Sequence, residues 1–207
     1  MPLKPAPPAV AVPASAAPRP AEIEAWLAEL GVPPGPRLER DGVTAWDVVL
    51  DGRQRRDLRT TLILDPTLGL IAWAHLAPPI GDGLRKAYRA LLRWNDEFPL
   101  AKFSIADDGR PILAVELPAR WLDADELGLA LARVVGIADR LFEETRAWLW
   151  IGGRVPAGYG DRPGRTPALL ERFGPRVPEL FAEPAGGLAE GPAAELADEA
   201  AGAQVEG

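Results

Sequence analysis

The chain has 207 residues, no cysteine and a formal net charge of -7. That length suits one domain with tails or two very small domains, and the missing thiols exclude disulfides, thiol nucleophiles and cysteine-held zinc or iron–sulfur clusters. Six acids fall in residues 182–207 without a Lys or Arg among them, so the rest is close to neutral, which argues against a protein built mainly to hold nucleic acid.

Residues 1–19 read as a disordered Pro/Ala arm. Pro5, Pro7, Pro8 and Pro13 interrupt the apolar core that a secretory signal needs. No apolar run reaches the roughly 18–20 residues of a membrane span. The expected location is therefore the cytoplasm, with no membrane partner.

An α+β domain is expected over residues 20–151. In "PAEIEAWLAELGV", Pro20 suits a helix start and Gly31 its stop. Ile23, Trp26, Leu27 and Leu30 make one apolar stripe. Three strand-like runs follow at 43–50, 58–65 and 68–76, joined by connections short enough for antiparallel hairpins. A second helix is expected from about Gly83 to Asn95, with Leu84, Tyr88, Leu91, Leu92 and Trp94 inward. Arg85, Arg89 and Arg93 form a basic line on another side, a surface for an acidic partner or, more commonly, a solvated face.

The stretch "EFPLAKFSIADDGRPILAVELPARWLDADELG", residues 97–128, carries seven carboxylates. Strands are expected at 100–106 and 111–117, with "DDGR" as the turn and Gly109 supplying positive φ. The register that keeps apolar side chains together sets Phe103 against Val115, Ile105 against Leu113 and Lys102 against Glu116. Asp123 fits a helix N-cap and Glu126 the reciprocal capping-box position. From Ala124 the pattern predicts one rod to about Trp148, about 37 Å long. Its stripe is Leu127, Leu131, Val134, Ala138, Leu141, Thr145 and Trp148.

Residues 152–181 read as a Gly/Pro/Arg linker with two short apolar motifs, "TPALLERFG" and "VPELF", which either dock on the domain or serve in recognition. Residues 182–207 have the composition of a disordered acidic tail.

Chemistry is hard to build from this inventory. His75 is the only histidine, and the acidic runs lack the spaced ligands of a calcium loop, so no metal site is expected. There is no G-x-S-x-G elbow and no Walker or dinucleotide fingerprint. Glu97, Asp107, Asp108 and Glu116 are the carboxylates whose convergence would make acid/base catalysis possible. The turn and cap positions give most of the acids local duties instead, so neither catalytic residues nor cofactors are expected. Of the seven tryptophans, Trp148 and Trp150 at the end of the last helix are the candidate partner-binding anchors, with Arg85, Arg89 and Arg93 beside them.

The "WN…F…KFS" entry, the "DGRPIL…ELP" hairpin and the "LDADELG" helix start resemble the bacterial YbjN-type domain family, whose members are labelled sensory transduction regulators. The resemblance covers roughly residues 20–150. It implies the type III secretion chaperone fold: order α-β-β-β-α-β-β-α, an antiparallel sheet of about five strands and three helices. Chaperones of that fold dimerise and hold extended segments of other proteins. The expected function is thus a non-enzymatic protein- or peptide-binding module acting as a homodimer. The alternatives are a nucleic-acid-associated regulator using the basic face of the second helix, or a carboxylate-dependent enzyme.

Overall fold

A computed structural model of the protein describes residues 18–80 and 84–181, with backbone only for Leu84, Arg85, Lys86, Glu179 and Phe181. The expected tail and nearly all of the arm lie outside the described residues, as do Gly81 and Gly83 ahead of the second helix.

Helix α1 (Pro20–Glu29) starts at its proline, and the backbone N–H of Arg19 donates to Glu22 Oε2 at 2.6 Å. Ile23, Leu27 and Leu30 are buried, and Trp26 is half-buried. The indole N–H of Trp46 donates to Glu24 Oε1 at 3.0 Å, which ties the helix to the sheet.

The sheet has six antiparallel strands rather than five: β1 (Leu38–Arg40), β2 (Val43–Leu50), β3 (Leu58–Asp65), β4 (Gly69–His75), β5 (Lys102–Ile105) and β6 (Pro111–Pro118), in spatial order β1-β2-β3-β4-β6-β5. The additional strand, β1, holds no β-branched residue. It forms because Asp41 (φ 53) and Gly42 (φ 81) make a two-residue turn, whose twist suits a hairpin.

The β5–β6 pairing departs from the expected register by two residues. Phe103 faces Leu113, Ile105 faces Pro111 and Lys102 faces Ala114. The turn closes tightly, with Gly109 N–H on the Ala106 carbonyl at 2.8 Å and Ala106 N–H on the Arg110 carbonyl at 2.9 Å. A slip of two leaves every side chain on its expected face. Lys102 still reaches Glu116, diagonally, at 2.6 Å.

One face of the sheet forms the core. Trp46, Leu62, Ala72 and Val115 lie side by side across four strands, and Val48, Ala74, Leu113 and Phe103 fill the neighbouring rows. Helix α2 (Leu84–Glu97) turns Ala87, Leu91 and Trp94 inward, and Phe98 just beyond it is buried too. Trp94 contacts Phe103 with ring centroids 5.3 Å apart. Tyr88 and Leu92, expected inside, are 45% and 69% exposed, because the 87–91–94–98 stripe is the one that meets β5.

The last helix is not one rod. It divides into α3 (Ala124–Arg140) and α4 (Phe142–Leu149), with Leu141 at the break (φ -89, ψ 6). The Thr145 hydroxyl donates to the carbonyls of Leu141 (2.8 Å) and Phe142 (3.3 Å), a back-bonding pattern that bends helices. Asp123 caps α3 by accepting from the N–H groups of Asp125 and Glu126, but Glu126 does not return the bond. The apolar stripe of α3 is buried as expected.

After α4 the chain folds back over the domain. Helix α5 (Pro167–Phe173) and the single turn α6 (Pro178–Phe181) lie on α3, burying Leu169, Phe173, Val177 and Leu180. The additional helices beyond the three expected are therefore α4, α5 and α6. Both apolar motifs dock rather than project.

Candidate functional site

The carboxylates of residues 97–128 do not converge. Asp107 and Asp108 sit exposed on the turn. Arg110 donates to Asp108 at 2.7 Å and holds that carboxyl below its usual range. Glu116 pairs with Lys102, Glu97 lies 3.8 Å from Arg140, and Asp125 pairs with Arg172 and Arg176. Among the described residues, no three carboxylates or imidazoles gather into a group able to hold a metal ion.

The candidate anchors are held within the fold. Trp148 is half-buried, with its ring 5.5 Å from that of the fully buried Trp94. Trp150 packs edge-on against Tyr159 at 4.8 Å and Phe142 at 5.9 Å. Along α2, Arg93 pairs with Glu144 and so bridges α2 to α4, while Arg89 is exposed. The side chain of Arg85 lies outside the described residues. The basic line is thus partly spent on an internal contact.

Two buried carboxylates dominate the polar interior. Asp51 follows β2. It accepts from Asp57 N–H (2.7 Å), Arg165 N–H (2.9 Å) and both terminal nitrogens of Arg162 (3.0 and 3.2 Å). Burial alone would raise its pKa, but these donors together hold it below the ordinary value. Thr166 accepts from Asp51 N–H at 3.1 Å and donates to the Asp51 carbonyl at 3.0 Å.

On α3, Asp139 accepts from the N–H groups of Arg53 (2.6 Å), Gln54 (3.0 Å) and Arg55 (2.7 Å). For Asp139 burial wins over those bonds and its pKa is raised. Together the two carboxylates clamp the β2–β3 loop between α3 and the returning C-terminal segment.

The second face of the sheet has a different character. Across neighbouring strands, Ala45, Ile63 and Ile71 form one row, and Asp47, Thr61, Trp73, Ala114 and Lys102 form the next. Ala45, Ile63, Ile71, Trp73 and Ala114 are all half-buried, and none belongs to the core cluster. The Trp73 ring stacks on His75 at 6.5 Å, and its indole N–H has no partner among the described residues. An apolar strip with charges at its margins is thereby left on a sheet face.

The match to a protein-family model decides the relationship. The YbjN model, described as "Putative bacterial sensory transduction regulator", matches residues 19–147. The chain belongs to the YbjN family. A search of curated proteins finds no match.

The YbjN span runs from the start of α1 into α4 and stops short of the segment that folds back. The family description is compatible with a regulatory or binding role for the sheet and its helices. No helix among the described residues is long and apolar enough to cross a membrane.

Neither Trp73 nor Trp121 of this YbjN chain is among the anchors expected from the sequence. Trp121 is 59% exposed, with the Arg120 guanidinium 4.1 Å over its ring. Alternation in "LGLIAWAHL" is the signal that sets Ile71 and Trp73 on the face opposite Ala72 and Ala74.

Proposed function

We propose that the protein is a non-enzymatic regulatory module of the cytoplasm that holds an extended segment of another protein on its second sheet face. The observation carrying this reading is the half-exposed strip of Ala45, Ile63, Ile71, Trp73 and Ala114 on strands whose other face forms the core. Apolar surface of that kind, bordered by Asp47, Lys102 and Glu116, is characteristic of a docking site. Strand addition is less favoured. Edge strand β5 has four residues and begins with Lys102, and edge strand β1 has three exposed residues. The guest would therefore be gripped by its side chains.

Self-association belongs to the same reading. Tyr88 and Leu92 stand one turn apart on the outer side of α2, exposed and apolar. They give a homodimer a natural contact, in keeping with the dimeric secretion chaperones whose fold the sequence resemblance implies. The separated carboxylates support a role without catalysis. The Arg93–Glu144 pair weakens the alternative of a nucleic-acid regulator acting through α2.

The test is affinity capture from cells with the full chain, beside Ile71→Glu and Leu92→Glu. The reading expects Ile71→Glu to lose a stoichiometric partner at an unchanged melting temperature. It expects Leu92→Glu to halve the mass seen by light scattering. Identical partners and identical masses for all three chains would overturn it.

A further inference from the structure

The β2–β3 loop and the segment after α4 enclose a cleft of about 490 Å³ that the reading above does not use. Among the described residues, four guanidinium groups line it, those of Arg55, Arg56, Arg59 and Arg110, against a single carboxylate, Asp57. Asp57 is already engaged by Arg162 at 2.9 Å and Arg165 at 2.6 Å, and Arg110 is neutralised by Asp108. No described carboxylate forms an ion pair with the remaining three.

Their hydrogen bonds go to neutral oxygens or are unmade. Arg55 is 8% exposed, and it donates to the Leu76 carbonyl (3.3 Å), the Arg56 carbonyl (3.1 Å) and the Tyr159 hydroxyl (3.2 Å). Arg56 donates from Nη1 to the Gly52 carbonyl at 2.5 Å, while its Nε is buried with no acceptor among the described residues. His75 lines the same cleft, and its Nδ1 is also buried with no partner among the described residues. Asp139 is within electrostatic reach of Arg56, but its carboxylate already accepts three backbone N–H bonds.

Buried charges in folded proteins are ordinarily paired, and a buried donor without an acceptor is costly. A guanidinium fork matches the oxygens of a phosphoryl group, and several such forks together are a common means of recognising one. Pro78, Pro79, Leu149 and Trp150 supply an apolar wall beside the charge. The volume falls within the range of small-molecule sites.

We infer that this cleft is a binding site for the phosphoryl group of a small molecule, with Arg55, Arg56 and Arg59 as its ligands. Trp150 and Tyr159 come from beyond the family-matched residues 19–147, so the cleft is completed by the returning segment. The cleft adjoins the docking strip, since His75 stacks on Trp73, but small-molecule titration reads it separately from partner capture, and its failure would leave the docking reading intact.

Isothermal titration calorimetry on the full chain at low salt tests the inference, with inorganic phosphate, pyrophosphate and adenosine monophosphate as probes. One-to-one saturation by at least one of them is expected, at least ten-fold weaker in Arg59→Ala. Arg59 is exposed, so that variant keeps the melting temperature of the parent. Tighter binding of the nucleotide than of inorganic phosphate would identify an organic phosphate as the ligand. Equal binding would support the same site and restrict recognition to the phosphoryl group. No saturation by any probe would overturn the inference, as would affinities unchanged in both Arg59→Ala and Arg56→Gln. So would binding that appears only once the six acids of residues 182–207 are neutralised, because the chain's own tail would then be the occupant.

Discussion

Phe173 occupies the space that a side chain at Gly128 would need, since a Cβ there would lie 2.3 Å from the ring. Both residues are buried, so neither can give way into solvent. Gly128→Ala should displace α5 from α3 and cost about 1–3 kcal/mol, the usual range for overpacking. Chemical denaturation checks it, and Phe173→Leu introduced with Gly128→Ala should recover part of the loss.

Asp139 satisfies three backbone N–H groups of one loop. Asp139→Ala removes the acceptor of one buried donor, Arg55 N–H, and of two part-buried ones, at roughly 1–3 kcal/mol. Hydrogen exchange should show the amides of Arg53, Gln54 and Arg55 losing protection ahead of the sheet.

The pH profile follows from two shifts of opposite sign. Asp51 has its pKa depressed from 3.8, so the unfolded chain takes up its proton first as the medium is acidified. Its contribution is complete above the unfolded value and disappears as pH falls through the folded one. Asp139 is raised from 3.8, so its contribution declines as pH climbs from that value through the folded one. Asp51→Asn should therefore flatten the loss of melting temperature below about pH 4. A profile as steep as that of the parent would refute the assignment.

Glu116 and Lys102 form an exposed cross-strand pair. Glu116→Gln should change stability by no more than about 1 kcal/mol, in line with surface ion pairs. Partner capture should be unaffected, whereas an enzyme relying on this carboxylate would lose its activity.

The strands and the buried stripe of α3 were legible because alternation and helical spacing depend only on near neighbours. Helix α2 was harder. Leu84, Tyr88, Leu91 and Leu92 form as good a stripe as Ala87, Leu91, Trp94 and Phe98, and only the position of β5 chooses between them. Strand β1 lacked a propensity signal, yet Asp41-Gly42 announced its turn. The break at Leu141 arises from a threonine hydroxyl that sequence periodicity treats as one more stripe position. The cleft and the Asp51 seam were invisible for a different reason. In sequence, "GDRPGR" has the look of a linker, and its partners lie more than a hundred residues upstream.

That separation has a consequence for biosynthesis. Asp51 receives its ligands from Arg162, Arg165 and Thr166, which are 111, 114 and 115 positions away. On the ribosome, the meander β2–β3–β4 is complete long before those residues emerge. The nascent polypeptide must therefore carry at the mouth of its first hairpins an aspartate that has its local bond from Asp57 N–H but neither arginine, and that hairpin junction locks only when translation is nearly over.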